Sequence, residues 1–148
     1  MRASENEGMS GPLSGEVVLV VEDEFLIGLQ LQITLEDAGA EVCGPFATVR
    51  EALDLIARQP LSVALLDIRI GKETIGPVAE ELARRDVPFA FYTGQLLTDP
   101  IRVRWPDSSI ICKPAQAEAI VATLVDLIEA RERGATQARV SSQPSTAH

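Results

Sequence analysis

The sequence predicts an α/β protein built on a doubly wound, five-stranded parallel sheet. Short apolar runs alternate with segments of helical period, which is the pattern of successive βα units. The third run, residues 61–66, is almost wholly apolar, as expected of a central strand that helices cover on both faces. Charged residues directly follow three of the runs, at the sheet edge where ligand chemistry gathers. We expect the strand order 2-1-3-4-5, with the topological switch point between the first and third strands.

Each element has its own signal. Gly44 and Pro45 weaken the second strand and suit an edge position, because proline cannot donate to the ladder. Thr48 and Glu51 are placed as a capping box for the second helix, and Pro60 stops it. The first helix is expected to carry Leu26, Leu29, Ile33 and Leu35 on or near one face. The predicted strands are residues 17–21, 41–46, 61–66, 88–92 and 109–112, and the predicted helices are residues 24–37, 49–59, 77–85 and 115–133.

The remaining segments carry weaker signals. Residues 1–15 are small and polar and are predicted to be a flexible leader. Residues 134–148 have almost no apolar side chains and are predicted to be a disordered tail, which leaves residues 16–133 as one folded domain. Residues 71–76 are expected to form a loop, and residues 95–107 have room for at most one or two helical turns.

Composition excludes several classes of function. The net charge is −9 without a cluster of basic residues, which argues against nucleic-acid binding. No apolar stretch approaches the roughly 20 residues of a membrane span, and no secretory signal is visible, so we expect a cytoplasmic protein. His148, the last residue, is the only histidine, which leaves no histidine for a catalytic or metal site within the folded domain.

Three acids and a lysine follow the strands. Glu22 and Asp23 come after the first strand, Asp67 after the third, and Lys113 after the fifth. The strand order brings the acids together, where they would repel one another unless a cation lay between them. Mg²⁺ prefers oxygen ligands, so Asp23 and Asp67 are expected to bind it, with Glu22 and the backbone carbonyl of Arg69 as further ligands.

These residue types fit phosphoryl chemistry. Asp67 can attack phosphorus and form an acyl phosphate. Lys113 offers a point charge to the phosphoryl group, and the following Pro114 makes a cis peptide bond possible. Thr93 and Gly94, at the end of the fourth strand, are expected to offer a hydroxyl and open space for a phosphoryl oxygen.

Each residue alone also has a simpler explanation. Glu22, Asp23 and Glu24 could cap a helix N-terminus, and Asp67 could be a solvated turn aspartate. Lys113–Pro114 could be an ordinary strand exit. Their joint appearance after the first, third, fourth and fifth strands favours a common site.

With these residues in place, the core resembles the receiver domain of bacterial two-component response regulators, which has a flavodoxin-like fold. The resemblance covers nearly all of residues 16–133. It implies that Asp67 accepts a phosphoryl group from a histidine kinase or a phosphotransfer protein. The matching segments are VLVVEDE (residues 18–24), ALLD (residues 64–67), Thr93-Gly94 and Lys113-Pro114.

A narrower resemblance is to the single-domain "FAT GUY" regulators, whose fourth-strand signature is nearly reproduced by PFAFYTGQ at residues 88–95. Tyr92 stands where that subgroup has alanine, and Gln95 where it often has tyrosine. The subgroup implies a kinase of the HWE or a related type. Most receivers also carry an aromatic switch residue at the position of Ile110, so activation is expected to use residues 95–107 instead.

The resemblance implies a regulator rather than an enzyme, with Mg²⁺-dependent self-phosphorylation and slow autodephosphorylation only. Too few residues follow position 133 for an output domain, so we expect protein contacts with an unknown downstream partner, or a role as a phosphate carrier or sink. A monomer or weak dimer is expected. Two alternatives stay open: a small Mg²⁺-dependent phosphatase or nuclease of the HAD or Toprim type, which usually needs a second acid where Arg69 stands, and a degenerate receiver that is not phosphorylated.

Overall fold

The structure, a computed structural model, describes residues 11–94 and 100–141, except for the side chains of residue 102 and residues 136–141. Within these residues, five strands form one parallel sheet in the order β2-β1-β3-β4-β5, as the sequence predicts. The strands are β1 (Val17–Val21), β2 (Glu41–Phe46), β3 (Val63–Leu66), β4 (Phe89–Thr93) and β5 (Ser109–Cys112). Observed and predicted bounds differ by at most two residues.

Helices connect the strands. Thr48 caps the second helix as predicted: its Oγ1 accepts the Glu51 N–H at 3.1 Å, and its hydroxyl donates to the Glu51 carboxylate at 3.2 Å. The region expected to hold one or two turns forms a single turn, while residues 95–99 lie outside the described residues. The described helices are α1 (Phe25–Asp37), α2 (Val49–Arg58), α3 (Gly76–Arg84), α4 (Ile101–Arg104) and α5 (Ala117–Ser141).

The core lies on both faces of the sheet. Every residue of β3 and β4 is buried, as expected for central parallel strands. Side chains alternate between the two faces: Leu19 and Val21 join α2 and α3 in one apolar cluster, and Val18 and Val20 join α1 and α5 in the other. The two layers together make this a doubly wound fold.

The buried face of α1 differs from the prediction. Of the four apolar residues that the sequence places on or near one face, Leu35 is buried, but Leu26, Leu29 and Ile33 are exposed, together with Phe25. The helix buries Gly28, Leu31 and Leu35 instead. Because apolar residues surround most of this helix, periodicity alone allows more than one inward face. Close contact with the edge strand selects the face that carries Gly28, since a Cβ there would lie 3.0 Å from Pro45 side-chain atoms.

Residues 71–76 are not simply a loop, contrary to prediction. Arg69–Ile70 and Glu73–Thr74 pair antiparallel as a short hairpin after β3. Gly71 takes the left-handed backbone conformation at its turn, with φ of 63°. Ile70 and Ile75 are buried in the core and anchor the hairpin. Two-residue strands are too short to show an alternating pattern, which explains why the sequence does not reveal them.

The predicted boundary of the flexible leader is wrong for the part that the structure describes. The Leu13 side chain is fully buried in the cluster between α1, α5 and the sheet. Its N–H donates to Ala38 O at 2.8 Å, and its carbonyl accepts from Glu16 N–H at 3.0 Å. One apolar residue among small polar ones gives no periodicity, but its burial begins the folded domain before residue 16. Residues 1–10 lie outside the described residues.

The predicted start of the tail at Gly134 is also wrong. Helix α5 continues to Ser141, eight residues beyond the predicted end at residue 133. A segment with few apolar residues has no apolar face to pack against the core. It can still form a helix, because alanine, arginine and glutamine are good helix formers. The Arg131 guanidinium donates to Leu61 O at 3.0 Å and ties the helix to the domain just before this extension. Residues 142–148 lie outside the described residues, and no described helix is long and apolar enough to cross a membrane.

We expect Leu13→Ala to destabilise the fold by about 2–4 kcal/mol, because it removes a fully buried side chain and leaves a cavity. Urea unfolding measures the change. Leu26→Ala is the matched control, since Leu26 is 72% exposed and should change stability by at most about 0.5 kcal/mol. Equal stability of the two variants would contradict the assignment of Leu13 to the core.

Candidate functional site: an acidic pocket with a lysine

The register of the parallel strands aligns the ends that carry the predicted site. The Asp67 N–H donates to Val21 O at 3.0 Å, which sets the residues after β1 and β3 side by side. The Lys113 N–H donates to Thr93 O at 3.1 Å, which does the same for β4 and β5. Backbone hydrogen bonds therefore bring residues far apart in the sequence to one edge of the sheet.

Three carboxylates converge there. One oxygen from each of Glu22, Asp23 and Asp67 lies within 4.8 Å of the others. Glu22 is 3% exposed and Asp67 is buried, whereas Asp23 opens to solvent. Burying two carboxylates beside each other is costly unless positive charge compensates them.

Lys113 supplies part of that charge. Its ammonium donates to Asp67 Oδ2 at 3.0 Å and lies 3.0 Å from Glu22 Oε1. The more exposed Glu24 carboxylate is farther away, at 3.9 Å. Partial burial by itself would lower the pKa of Lys113, but Glu22 and Asp67 outweigh this effect and raise the pKa above its ordinary value. Lys113 is therefore a fixed cation, and the Lys113–Pro114 peptide bond that follows is cis.

Glu22 remains incompletely compensated. Burial, followed by the charge of Asp67, raises its pKa to about 7, although Lys113 and the Glu24 N–H oppose the shift. Its Oε1 is buried and, among the described residues, makes no aligned hydrogen bond even though the ammonium is near. A buried, poorly satisfied carboxylate oxygen beside two other carboxylates is a donor set that suits a hard divalent cation such as Mg²⁺.

The other predicted site residues lie around this pocket. Thr93 is buried at the end of β4, and a Cβ added to Gly94 would meet no described atom within 4 Å. Arg69 lies in the first strand of the hairpin, two residues beyond Asp67. The role of its carbonyl as a metal ligand stays a prediction.

Sequence reasoning did not assign the contacts of two residues at this site, Gly71 and Tyr92. Gly71, at the hairpin turn, donates its N–H to Asp23 Oδ2 at 2.7 Å, so the hairpin orients an exposed acid. Tyr92 accepts the Ala115 N–H at 3.4 Å, and Lys113 Nζ lies 5.6 Å from the centroid of its ring. The sequence signals were Gly71 within IRIGKET (residues 68–74) and Tyr92 as a departure from the subgroup signature, and neither specifies a contact.

Neither the known family models nor the curated protein sequences give a match to this chain. Solved structures do. The signal receiver domain of a modulated diguanylate cyclase from Desulfovibrio desulfuricans G20 is 26% identical, with a TM-score of 0.73 over 80% of this chain and 98% of that one. The receiver domain of the PhyR response regulator from Erythrobacter litoralis is 28% identical, with a TM-score of 0.65 over 77% of this chain and 90% of that one.

A response regulator receiver protein from Sinorhizobium medicae WSM419 is 23% identical, with a TM-score of 0.69 over 80% of this chain and 98% of that one. All three neighbours are receiver domains. The chain thus has the receiver fold, and the resemblance to the receiver domains of two-component signalling is confirmed. The narrower likeness to the "FAT GUY" subgroup stays a prediction.

The raised pKa of Glu22 predicts a pH dependence of stability without metal. The pKa of Glu22 is about 7 in the folded state, against an ordinary value of 4.5. The folded state therefore binds more protons between these values, and stability is lost as pH rises. We expect Glu22→Gln to stabilise the metal-free protein relative to wild type by about 1–2 kcal/mol at pH ~8, and much less at pH ~5.

Urea unfolding in a chelator at several pH values measures this difference. Glu129→Gln is the control, because it removes an exposed carboxylate on α5 that lies outside the pocket. A stability difference between Glu22→Gln and wild type that is independent of pH would contradict the assignment.

Proposed function

We propose that this chain is a receiver that accepts a phosphoryl group on Asp67 from the phosphohistidine of a histidine kinase or phosphotransfer protein. The observation that carries the proposal is the 3.0 Å contact between Lys113 Nζ and Asp67 Oδ2 within a cluster of three carboxylates. A solvated turn aspartate would need neither a half-buried ammonium nor two neighbouring acids. The receiver fold of the structural neighbours supports the same function.

In the proposed transfer, an Asp67 carboxylate oxygen attacks phosphorus in line and the bond between phosphorus and the histidine nitrogen breaks. The bonding pair returns to the imidazole, whose other nitrogen carries the proton that keeps the leaving ring neutral. Lys113 already contacts Asp67 and would pair with the oxygens of the transferred group. The Thr93 hydroxyl would donate to those oxygens from the end of β4, next to Gly94, where an added Cβ would meet no described atom within 4 Å.

Glu22, Asp23 and Asp67 are the side chains that would hold Mg²⁺, with the Arg69 carbonyl as a further ligand. Mg²⁺ held there would supply positive charge that neutralises the carboxylates and the incoming phosphoryl group. Among the described residues of the pocket, the three carboxylates, when all are ionised, exceed the Lys113 ammonium by two charges, which is the charge of the proposed ion.

The exposed apolar side chains of α1 support a protein as the phosphoryl donor. We call Phe25, Leu26, Leu29 and Ile33 the α1 stripe; they are 39–78% exposed. The stripe begins directly after Glu22, Asp23 and Glu24, so a partner that covered it would lie beside the pocket. Contiguous exposed apolar groups of this kind favour a protein contact.

After transfer, the phosphoryl group would bring a charge of roughly −1.5 to −2 and three strong acceptor oxygens to the pocket. Lys113 and Thr93 would close on them, and the end of β4 would move inward. The surface formed by α4, β5 and α5 would then differ between the two states. Through that surface the chain would bind a downstream protein, or it would serve as a phosphate carrier or sink.

Asp67→Asn should abolish phosphate incorporation, because an amide is not a nucleophile toward phosphorus. The measurement is stoichiometric, hydroxylamine-sensitive labelling from acetyl phosphate, with and without Mg²⁺. Asp54→Asn, at an exposed position of α2, is the control and should label like wild type. Label retained in Asp67→Asn would place the acceptor elsewhere, and absence of label in wild type with Mg²⁺ would indicate a degenerate receiver. Continuous release of phosphate from simple phosphoesters would favour a phosphatase.

Leu26→Gln should weaken transfer from a protein donor but not from a small one, because Leu26 is in the α1 stripe and 72% exposed. We expect transfer from an HWE-type histidine kinase to slow by about tenfold, and labelling by acetyl phosphate to change by less than about twofold. Val103→Gln, at an exposed apolar position of α4, is the control. Equal effects on both donors would show that Leu26 acts on the pocket rather than on docking.

A further inference from the structure

Tyr92 lies between the phosphoryl pocket and the core and has no role in the function proposed so far. It precedes Thr93 in β4 and is buried, at 6% exposure, in the cluster that β4 shares with α1 and α5. Its neighbour Phe91 belongs to the opposite cluster, as strand alternation requires. Tyr92 therefore approaches the residues after β5 from the face of α1 and α5.

Three contacts join the end of β4 to the turn between β5 and α5. The Lys113 N–H donates to Thr93 O at 3.1 Å, and the Ala115 N–H donates to the Tyr92 hydroxyl at 3.4 Å. The third is the Lys113 ammonium, 5.6 Å from the centroid of the Tyr92 ring, within the range of a cation–π interaction. Tyr92 thus contacts both the backbone that carries Lys113 and the charge of Lys113 itself.

The ammonium has competing acidic partners. Glu22 and Asp67, each at 3.0 Å, hold it in the pocket, while Glu24 is 3.9 Å away and 65% exposed. A long lysine side chain has many rotamers, and fixing one of them costs conformational entropy. A ring on one side and a tethered backbone turn reduce the number of positions that the ammonium can adopt.

We propose that Tyr92 is a positioning residue for Lys113: its ring and hydroxyl hold the β5–α5 turn and the ammonium so that the charge stays on Asp67 rather than moving toward Glu24. This inference rests on the proposed function, since Lys113 acts there on the phosphoryl group. Tyr92 does not touch the reacting atoms and acts through Lys113 alone. Thr93 follows Tyr92 directly in β4. Tyr92 therefore also links the position of the Lys113 ammonium to that of the Thr93 hydroxyl, which would contact the phosphoryl group.

A double-mutant cycle tests this role. Tyr92→Leu should slow labelling of Asp67 by acetyl phosphate and Mg²⁺ by about fivefold to tenfold, with Tyr92→Phe intermediate because it keeps the ring and loses the hydroxyl acceptor. In a Lys113→Ala background, Tyr92→Leu should have an effect of less than about twofold, because no ammonium remains to be positioned.

Phe91→Leu controls for lost core packing, since Phe91 is an equally buried aromatic of the same strand on the opposite face. It should lower stability in urea by at least as much as Tyr92→Leu while leaving the labelling rate of folded protein unchanged. The proposal is overturned if Phe91→Leu slows labelling as much as Tyr92→Leu does, or if Tyr92→Leu slows it equally with and without Lys113.

NMR of Lys113 separates this inference from the proposed function. The ring of Tyr92 should shift the Lys113 ε-methylene proton signals upfield in wild type and in Tyr92→Phe, and the shift should vanish in Tyr92→Leu. The NMR measurement needs no phosphorylation. It therefore still tests the position of the ammonium if wild type takes up no phosphate, or if Lys113→Ala labels too slowly to measure. Equal Lys113 shifts in wild type and Tyr92→Leu would show that the ring does not position the ammonium.

Discussion

The ion pair between Lys113 and the buried carboxylates Glu22 and Asp67 is the interaction on which the site depends. Parallel strands bring the acids together through backbone hydrogen bonds alone, whatever their charges. The resulting repulsion and loss of solvation appear in the pKa of Glu22, which rises to about 7. The Lys113 ammonium compensates only part of this repulsion and loss of solvation. The pocket therefore favours further positive charge, and this unfavourable ground state makes a metal-assisted phosphoryl acceptor a better explanation than a set of surface acids.

Much of this arrangement could be predicted from the sequence because it follows from strand topology. A charged residue placed directly after a buried strand has little freedom, so the positions of Glu22, Asp67 and Lys113 follow from strand order. The same holds for the alternation of Val18 and Leu19 between the two faces of the sheet. Predictions of this kind need no side-chain detail, since main-chain hydrogen bonding sets the register.

Contacts that depend on packing between elements could not be predicted. The helix α1 is apolar around most of its circumference, so its inward face was decided by the approach of Gly28 to Pro45. Leu13 is buried by tertiary contacts without any local pattern. Gly71 contacts Asp23 from a hairpin turn, and Tyr92 contacts Lys113 with a ring on the α1 and α5 face of the sheet. The sequence pattern predicts neither contact. The structure thus adds an exposed apolar face on α1 and further contacts around the pocket.

Paramagnetic broadening by Mn²⁺ measures the central claim most directly, namely that Glu22, Asp23 and Asp67 hold one divalent ion beside Lys113. Substoichiometric Mn²⁺ should broaden the amide signals of residues 22–23, 67 and 71 before those of any other residues, and Mg²⁺ should restore them by competition. Broadening spread over the many exposed acids of the chain, or centred away from the carboxyl ends of β1 and β3, would contradict the account.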